Sequence, residues 1–208
     1  MVVQRDTHVG RIAAFAVWGA IVLVLADVIV YQILIRGQGG SSPESAATVP
    51  FVTGFLLLMA VLLWLSLLGR SPLVALRPAL RAAPAAGLLV LGFFALFSIG
   101  LPIFLAGILA TIAAVLAQID PHSRNAVLSG VAAAVVAVMV LVAGFEVTQR
   151  IILCPPTGSM GGGGSGFLTG AYHYECVDGT LTWHSGDCNG VVGGFDANGN
   201  PFATGSSC

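Results

Sequence analysis

The stretch that decides the fold is residues 82–119, AAPAAGLLVLGFFALFSIGLPIFLAGILATIAAVLAQI, which runs 38 residues without a charge. A hydrocarbon core about 30 Å thick is crossed by about 20 helical residues rising 1.5 Å each. As a single helix this stretch would extend about 57 Å, nearly twice that thickness. Tilt and interfacial extension absorb about ten surplus residues and hardly eighteen. At its centre stands Ser98-Ile99-Gly100-Leu101-Pro102, a cluster able to turn the chain. Splitting there leaves two segments of about 18 residues, each just long enough to cross. The stretch therefore predicts a tight helical hairpin; the alternative is one long helix kinked at Pro102.

Working outward, the other apolar runs fall into place. Spans are expected over 12–35, 50–69, 82–99, 102–119 and 126–147, followed by a Gly- and Cys-rich tail from 154 to 208. The expected fold is an all-α polytopic membrane protein with five transmembrane helices (alternatively four). A small, disulfide-braced C-terminal tail containing a β-hairpin completes it. Composition agrees: 57% of the chain is hydrophobic and only 8% charged, against roughly 25% charged in a soluble domain. The formal net charge of −1 and the lack of a basic cluster exclude nucleic acid as a partner. All eight cationic residues are arginine. With the Ala, Val and Gly content, that suggests a GC-rich bacterial genome of the actinobacterial type.

Charge is unevenly divided. Residues 1–153 carry eight arginines against five acids, a net of +3, and residues 154–208 carry four acids and no arginine. Arg5 and Arg11 precede the first run, and Arg70, Arg77 and Arg81 lie in the connector after the second, so both regions are expected on the cytoplasmic side of a bacterial plasma membrane. Five spans leave Arg36 and Arg150 outside and export the tail; four spans exchange Arg124 for Arg150 and keep the tail inside. Both arrangements place six arginines inside and two outside, so the positive-inside rule does not separate them. The tail's four cysteines do, because disulfides persist outside the cytoplasm. Their spacings of 22, 12 and 20 contain no C-x-x-C pair for zinc. The first run reads as an uncleaved signal anchor, and Leu153 is too large to make Cys154 a lipoprotein attachment site.

In the tail, Asp178-Gly179 separates two β-prone runs, the signature of a type I′ hairpin. A two-residue loop opposes Val177 to Thr180, Glu175 to Thr182 and His173 to His184 on one face, and Cys176 to Leu181 and Tyr174 to Trp183 on the other. The second, aromatic face is expected to pack inward or on the membrane surface. His173, His184 and Glu175 are candidate metal ligands, with Asp187 the only further donor, although a solvated strand face explains them as well. Asp196-Ala197-Asn198-Gly199-Asn200 opens like a calcium loop. Pro201 and Ser207 occupy the informative positions, so a hairpin or Asx-turn is expected instead. Cys154 with Cys176, and Cys188 with Cys208, are the pairings that symmetry favours among three possible connectivities. The run Gly161-Gly162-Gly163-Gly164 has flexible-linker composition, and the tail is expected to be too small to hold a pocket alone.

Three polar features remain. Asp27 lies about 15 residues into the first span and is an intramembrane site candidate, satisfied by water, Gln32 or an arginine. Glu146 and Arg150, four apart, are placed to pair, and five spans bring them to the same side as Asp27. Arg70, Arg77 and Arg81 are expected to meet anionic lipid headgroups. Ser129, Ala133 and Ala137 form a small-residue ridge on the last span, suited to close helix packing.

No catalytic constellation and no cofactor motif emerges. The expected function is a non-enzymatic accessory or assembly subunit of a larger envelope complex, of which a respiratory or lipid-transport assembly would be typical. Its partners are other integral membrane subunits, met through small-residue helix faces and the exported tail, and membrane lipids. The alternatives are a small transporter or channel built on Asp27, and a metal or redox sensor built on the tail histidines and cysteines.

Overall fold

A computed structural model describes residues 3–37, 46–68, 71–96, 100–117, 124–166, 168, 170–186, 193–195 and 201–203. The chain divides into two compact units, Met1–Ser41 with Thr48–Phe145, and Ser42–Ala47 with Glu146–Cys208. The first is helical: α1 (Val3–Gly37), α2 (Thr48–Leu67), α3 (Ser71–Phe94), α4 (Gly100–Ala117) and α5 (Arg124–Gln149), whose last turn enters the second unit. Among the described residues, four of these helices are long and apolar enough to cross a membrane, and α4 is a shorter apolar helix.

The 82–119 stretch folds back on itself. Helix α3 ends at Phe94, and the amide of Gly100 donates to Ala95 O at 2.8 Å, closing the reversal. Ser98 and Ile99 lie outside the described residues. The arms run antiparallel: Gly92 faces Phe104, Gly107 faces Leu89, and Arg81 in the middle of α3 reaches Ala113 towards the end of α4. A single helix kinked at Pro102 is therefore not formed. Pro102 sits in the first turn of α4, where a missing N–H costs no helical bond.

Two glycines set how closely the arms approach. A Cβ on Gly92 would lie 2.5 Å from the backbone N of Phe104, and one on Gly107 would lie 2.8 Å from the backbone N of Leu89. Neither position has room for a side chain, and that contact brings the two backbones together. Helix α3 begins earlier than expected, at Ser71 instead of near 82, so Arg77 and Arg81 are helical, not part of a loop. Pro72 in its first turn is the start signal. Pro78 and Pro84 lie inside the helix, and each removes one backbone hydrogen bond.

The core of this unit is built from small and branched residues. Val17, Ala20 and Val24 of α1 meet Leu56 and Leu63 of α2, Leu88 of α3, and Ile103, Ala106 and Ala110 of α4. Other large apolar side chains point outward, among them Phe15, Trp18, Ile29, Trp64, Phe93 and Leu101. Among the buried residues, Ala20, Ala106 and Ala110 let the helices approach closely, the kind of packing on which association in lipid relies.

The second unit contains a three-stranded antiparallel sheet in the order β1 (Ser159–Gly166), β2 (Gly170–Val177), β3 (Thr180–Ser185). A separate pair, β4 (Gly193–Phe195) with β5 (Pro201–Ala203), opposes Phe195 to Pro201. That pair forms the expected second hairpin; its loop residues Asp196 to Asn200 lie outside the described residues.

Candidate functional site

The β2–β3 hairpin adopts the expected register throughout: Val177 opposes Thr180, Glu175 opposes Thr182, His173 opposes His184, Cys176 opposes Leu181 and Tyr174 opposes Trp183. Asp178 and Gly179 have φ of 46° and 80°, the two positive values that a type I′ turn requires. The Asp178 side chain also accepts the amide of Gly158 at 3.1 Å, and its own amide donates to Gly158 O at 3.0 Å. The turn is thereby fixed to the chain entering β1.

The glycine run is not a free linker. Ser159 to Gly166 pairs along its whole length with β2, and Gly163 opposes His173 while Gly164 opposes Tyr172. The reason is steric. A Cβ on Gly163 would stand 2.8 Å from Tyr172 O, and one on Gly164 would stand 2.8 Å from the Tyr172 hydroxyl. The Tyr172 ring thus lies over a strand stripped of side chains, and the glycines trade their backbone entropy for that contact. On the same face, Tyr174 and Cys176 are buried, and Cys176 is bonded to Cys154 with Cα atoms 5.5 Å apart. Cys188 and Cys208, and so the second expected pairing, lie outside the described residues.

This sheet and the last turn of α5 enclose a cleft of about 450 Å³. The tail was expected to be too small for a pocket. It gains one because the helix end supplies a second wall. Glu146, Gln149 and Arg150 come from the helix side, and Ala171, Tyr172, Trp183, His184 and Ser185 come from the sheet. The rings of Tyr172 and Trp183 stand 5.0 Å apart and are tilted by 47°. Tyr174 backs Trp183 at 6.0 Å. Glu146 Oε1 accepts the amide of Leu168 at 2.5 Å, which orients the carboxylate. Glu146 and Arg150 therefore share the wall of one cleft, a role that their i, i+4 spacing alone does not reveal.

The expected metal set is not assembled. His173 and His184 are cross-strand partners, but no three His, Cys, Asp or Glu side chains among the described residues are grouped to hold a metal. Glu175 sits two residues further along the strand. Diagonal neighbours on a sheet are about 7–8 Å apart, too far to close on one ion without a bend. Asp187 lies outside the described residues, and His184 instead lines the cleft.

In the helical unit, Asp27 is 4% exposed and its Oδ2 has no hydrogen-bond partner among the described residues. Gln32, expected as a partner, donates to Thr53 Oγ1 at 2.9 Å instead. Arg77 and Arg81 turn partly inward, with Arg77 donating to Leu68 O at 3.5 Å and Arg81 donating to Ala113 O at 3.2 Å and to Ser66 Oγ at 3.4 Å. Leu68 directly follows α2 and Ala113 lies in the C-terminal part of α4, where a cation also meets the negative pole of the helix. Arg77 and Arg81 thus hydrogen-bond within the helical unit. Arg70 lies outside the described residues. On α5, Gly130 and Ala137 are buried while Val131, Val135, Met139 and Val140 are exposed, so part of the small-residue ridge already packs within the chain.

No family model, no curated protein and no solved structure matches this chain.

Proposed function

We propose that the chain is a non-enzymatic accessory subunit of a larger envelope membrane complex, with five spans, a cytoplasmic N-terminus and an exported tail. The observation that carries this reading is the poor packing of α5. Only 17% of its apolar window is buried within the chain, against 33% for α1 and 39% for α3. Helices in lipid associate through packing contacts, and α5 leaves a long aliphatic face for a neighbouring subunit. The α3–α4 hairpin supports the odd number of spans, and a disulfide in the tail supports export.

Native co-purification tests the reading. A tagged chain drawn gently from its own membranes is expected to bring a second integral protein in stoichiometric amount. Val135→Asp on the exposed face of α5 is expected to cut that recovery at least tenfold, since a charge inside the bilayer costs about 2.5–3.5 kcal/mol. Recovery of a homo-oligomer alone would count decisively against a subunit role.

A second reading, a small ion-coupled transporter, is favoured by Asp27, because an unpartnered buried oxygen is costly unless it is used. On that reading Asp27→Asn abolishes ion flux into proteoliposomes and leaves assembly intact. Wild-type flux equal to that of empty liposomes removes it.

A further inference from the structure

The cleft between the three-stranded sheet and the last turn of α5 has the chemistry of a ligand site. We infer that it binds a neutral saccharide, with Tyr172 and Trp183 as the stacking platform and Glu146, Gln149 and Arg150 as hydroxyl partners. This inference is independent of the subunit reading, since it concerns the tail and one helix end only.

Three features select the ligand class. The platform is pre-organised: Tyr172 rests over Gly164, and Trp183 is flanked by Tyr172 at 5.0 Å and Tyr174 at 6.0 Å. Two tilted rings offer flat apolar surface to a ligand with an apolar face. The lining also carries one acid and one fixed cation, Glu146 and Arg150, so it has no overall sign. A quaternary ammonium would gain from the rings and Glu146 but be opposed by Arg150. A phosphate or carboxylate would gain from Arg150, be opposed by Glu146, and leave the rings unused.

The third feature is the balance of donors and acceptors. Arg150 only donates, the carboxylate of Glu146 only accepts, and the Gln149 amide does both. A row of hydroxyls, each donating and accepting, matches such a set better than any single charge. The Leu168 amide donates to Glu146 Oε1 and so fixes the carboxylate at the wall of the cleft. A volume of about 450 Å³ lies in the range of small-molecule sites and suits a short oligosaccharide.

The test uses the full chain in nanodiscs of phospholipid alone, because maltoside detergents and sucrose would occupy the site. Trp18→Phe and Trp64→Phe leave Trp183 as the only tryptophan. Maltose, cellobiose and N,N′-diacetylchitobiose are titrated, with tetramethylammonium chloride and inorganic phosphate as comparison ligands. At least one disaccharide is expected to change Trp183 emission saturably, with a Kd of about 1 mM or tighter. Saturation-transfer NMR should show contact through its ring C–H groups. Arg150→Ala and Gln149→Ala are each expected to weaken binding about tenfold, as the loss of one or two hydrogen bonds would. His173→Ala, on the opposite face of the sheet, should leave it unchanged. Silence from all three sugars, with near-ultraviolet circular dichroism showing an intact tail, overturns the inference. So does saturable binding of tetramethylammonium or phosphate alone, or binding that neither Arg150→Ala nor Gln149→Ala weakens.

Discussion

Gly92→Leu is expected to destroy the α3–α4 hairpin. Even the Cβ of alanine would lie 2.5 Å from the backbone N and 2.7 Å from the Cα of Phe104. The obstacle is backbone, which cannot rotate away as a side-chain tip can. The helices must separate, and separation forfeits the contacts of Leu88, Leu91 and Ile103, all buried. Overpacking alone costs about 1–3 kcal/mol, and splaying the arms adds to it, so about 3 kcal/mol or more is expected. For a chain of this size that lowers Tm by about 10 °C. Gly54→Leu is the matched control, because nothing lies within 4 Å of its Cβ position. Thermal unfolding of both variants in one detergent decides the matter. Equal melting of Gly92→Leu and wild type would show that the arms do not rely on this approach.

The same hairpin shows what the sequence carries openly. Its location follows from length: an uncharged stretch too long for one crossing, with a turn-capable cluster at its midpoint. The glycine contacts are implied only in hindsight, since Gly87, Gly92, Gly100 and Gly107 look alike in sequence. Which of them touches backbone depends on helix rotation. Rotation also decides what surrounds Asp27. Helix α1 is apolar on every side, so no periodicity marks its inner face. Only the packed structure shows Ala13, Ala16, Val17, Ala20, Val24 and Asp27 on one buried stripe.

The tail divides the same way. The β2–β3 register was legible residue by residue because Asp-Gly fixes the loop at two residues, and side-chain alternation follows from that. The glycine strand was not legible. Its residues carry no pattern of their own, and the reason for them, the Tyr172 ring, lies on the neighbouring strand. The cleft escaped for a related reason. Its walls come from residues 146–150 and from 171–185, which only the folded chain brings together. The signal available beforehand was weak: a charged pair at the end of the last helix and two aromatics two rungs apart.

Removing the Cys154–Cys176 bond is the other change with a large expected effect. The bond closes a loop spanning 22 positions, and Cys176 is fully buried beside Tyr174. Loop closure of that length is worth about 3 kcal/mol, roughly a hundredfold in the equilibrium between the closed and open tail. A small sheet with eight residues of glycine-rich edge strand has little other means of support. Cys154→Ala with Cys176→Ala, which buries no new hydroxyl, is therefore expected to open the tail to protease about a hundredfold faster. Chymotrypsin is the protease to use. It has Tyr172, Tyr174 and Trp183 as targets, whereas trypsin has no arginine or lysine after Arg150. Unchanged cleavage would mean that the sheet holds without its bond. The same cysteines report the side of the membrane. In intact cells, an impermeant phosphine followed by an impermeant maleimide is expected to label them, and maleimide alone is not expected to label this pair. Labelling only after lysis would place the tail in the cytoplasm and remove the fifth span, because an exported tail requires an odd number of crossings from a cytoplasmic N-terminus.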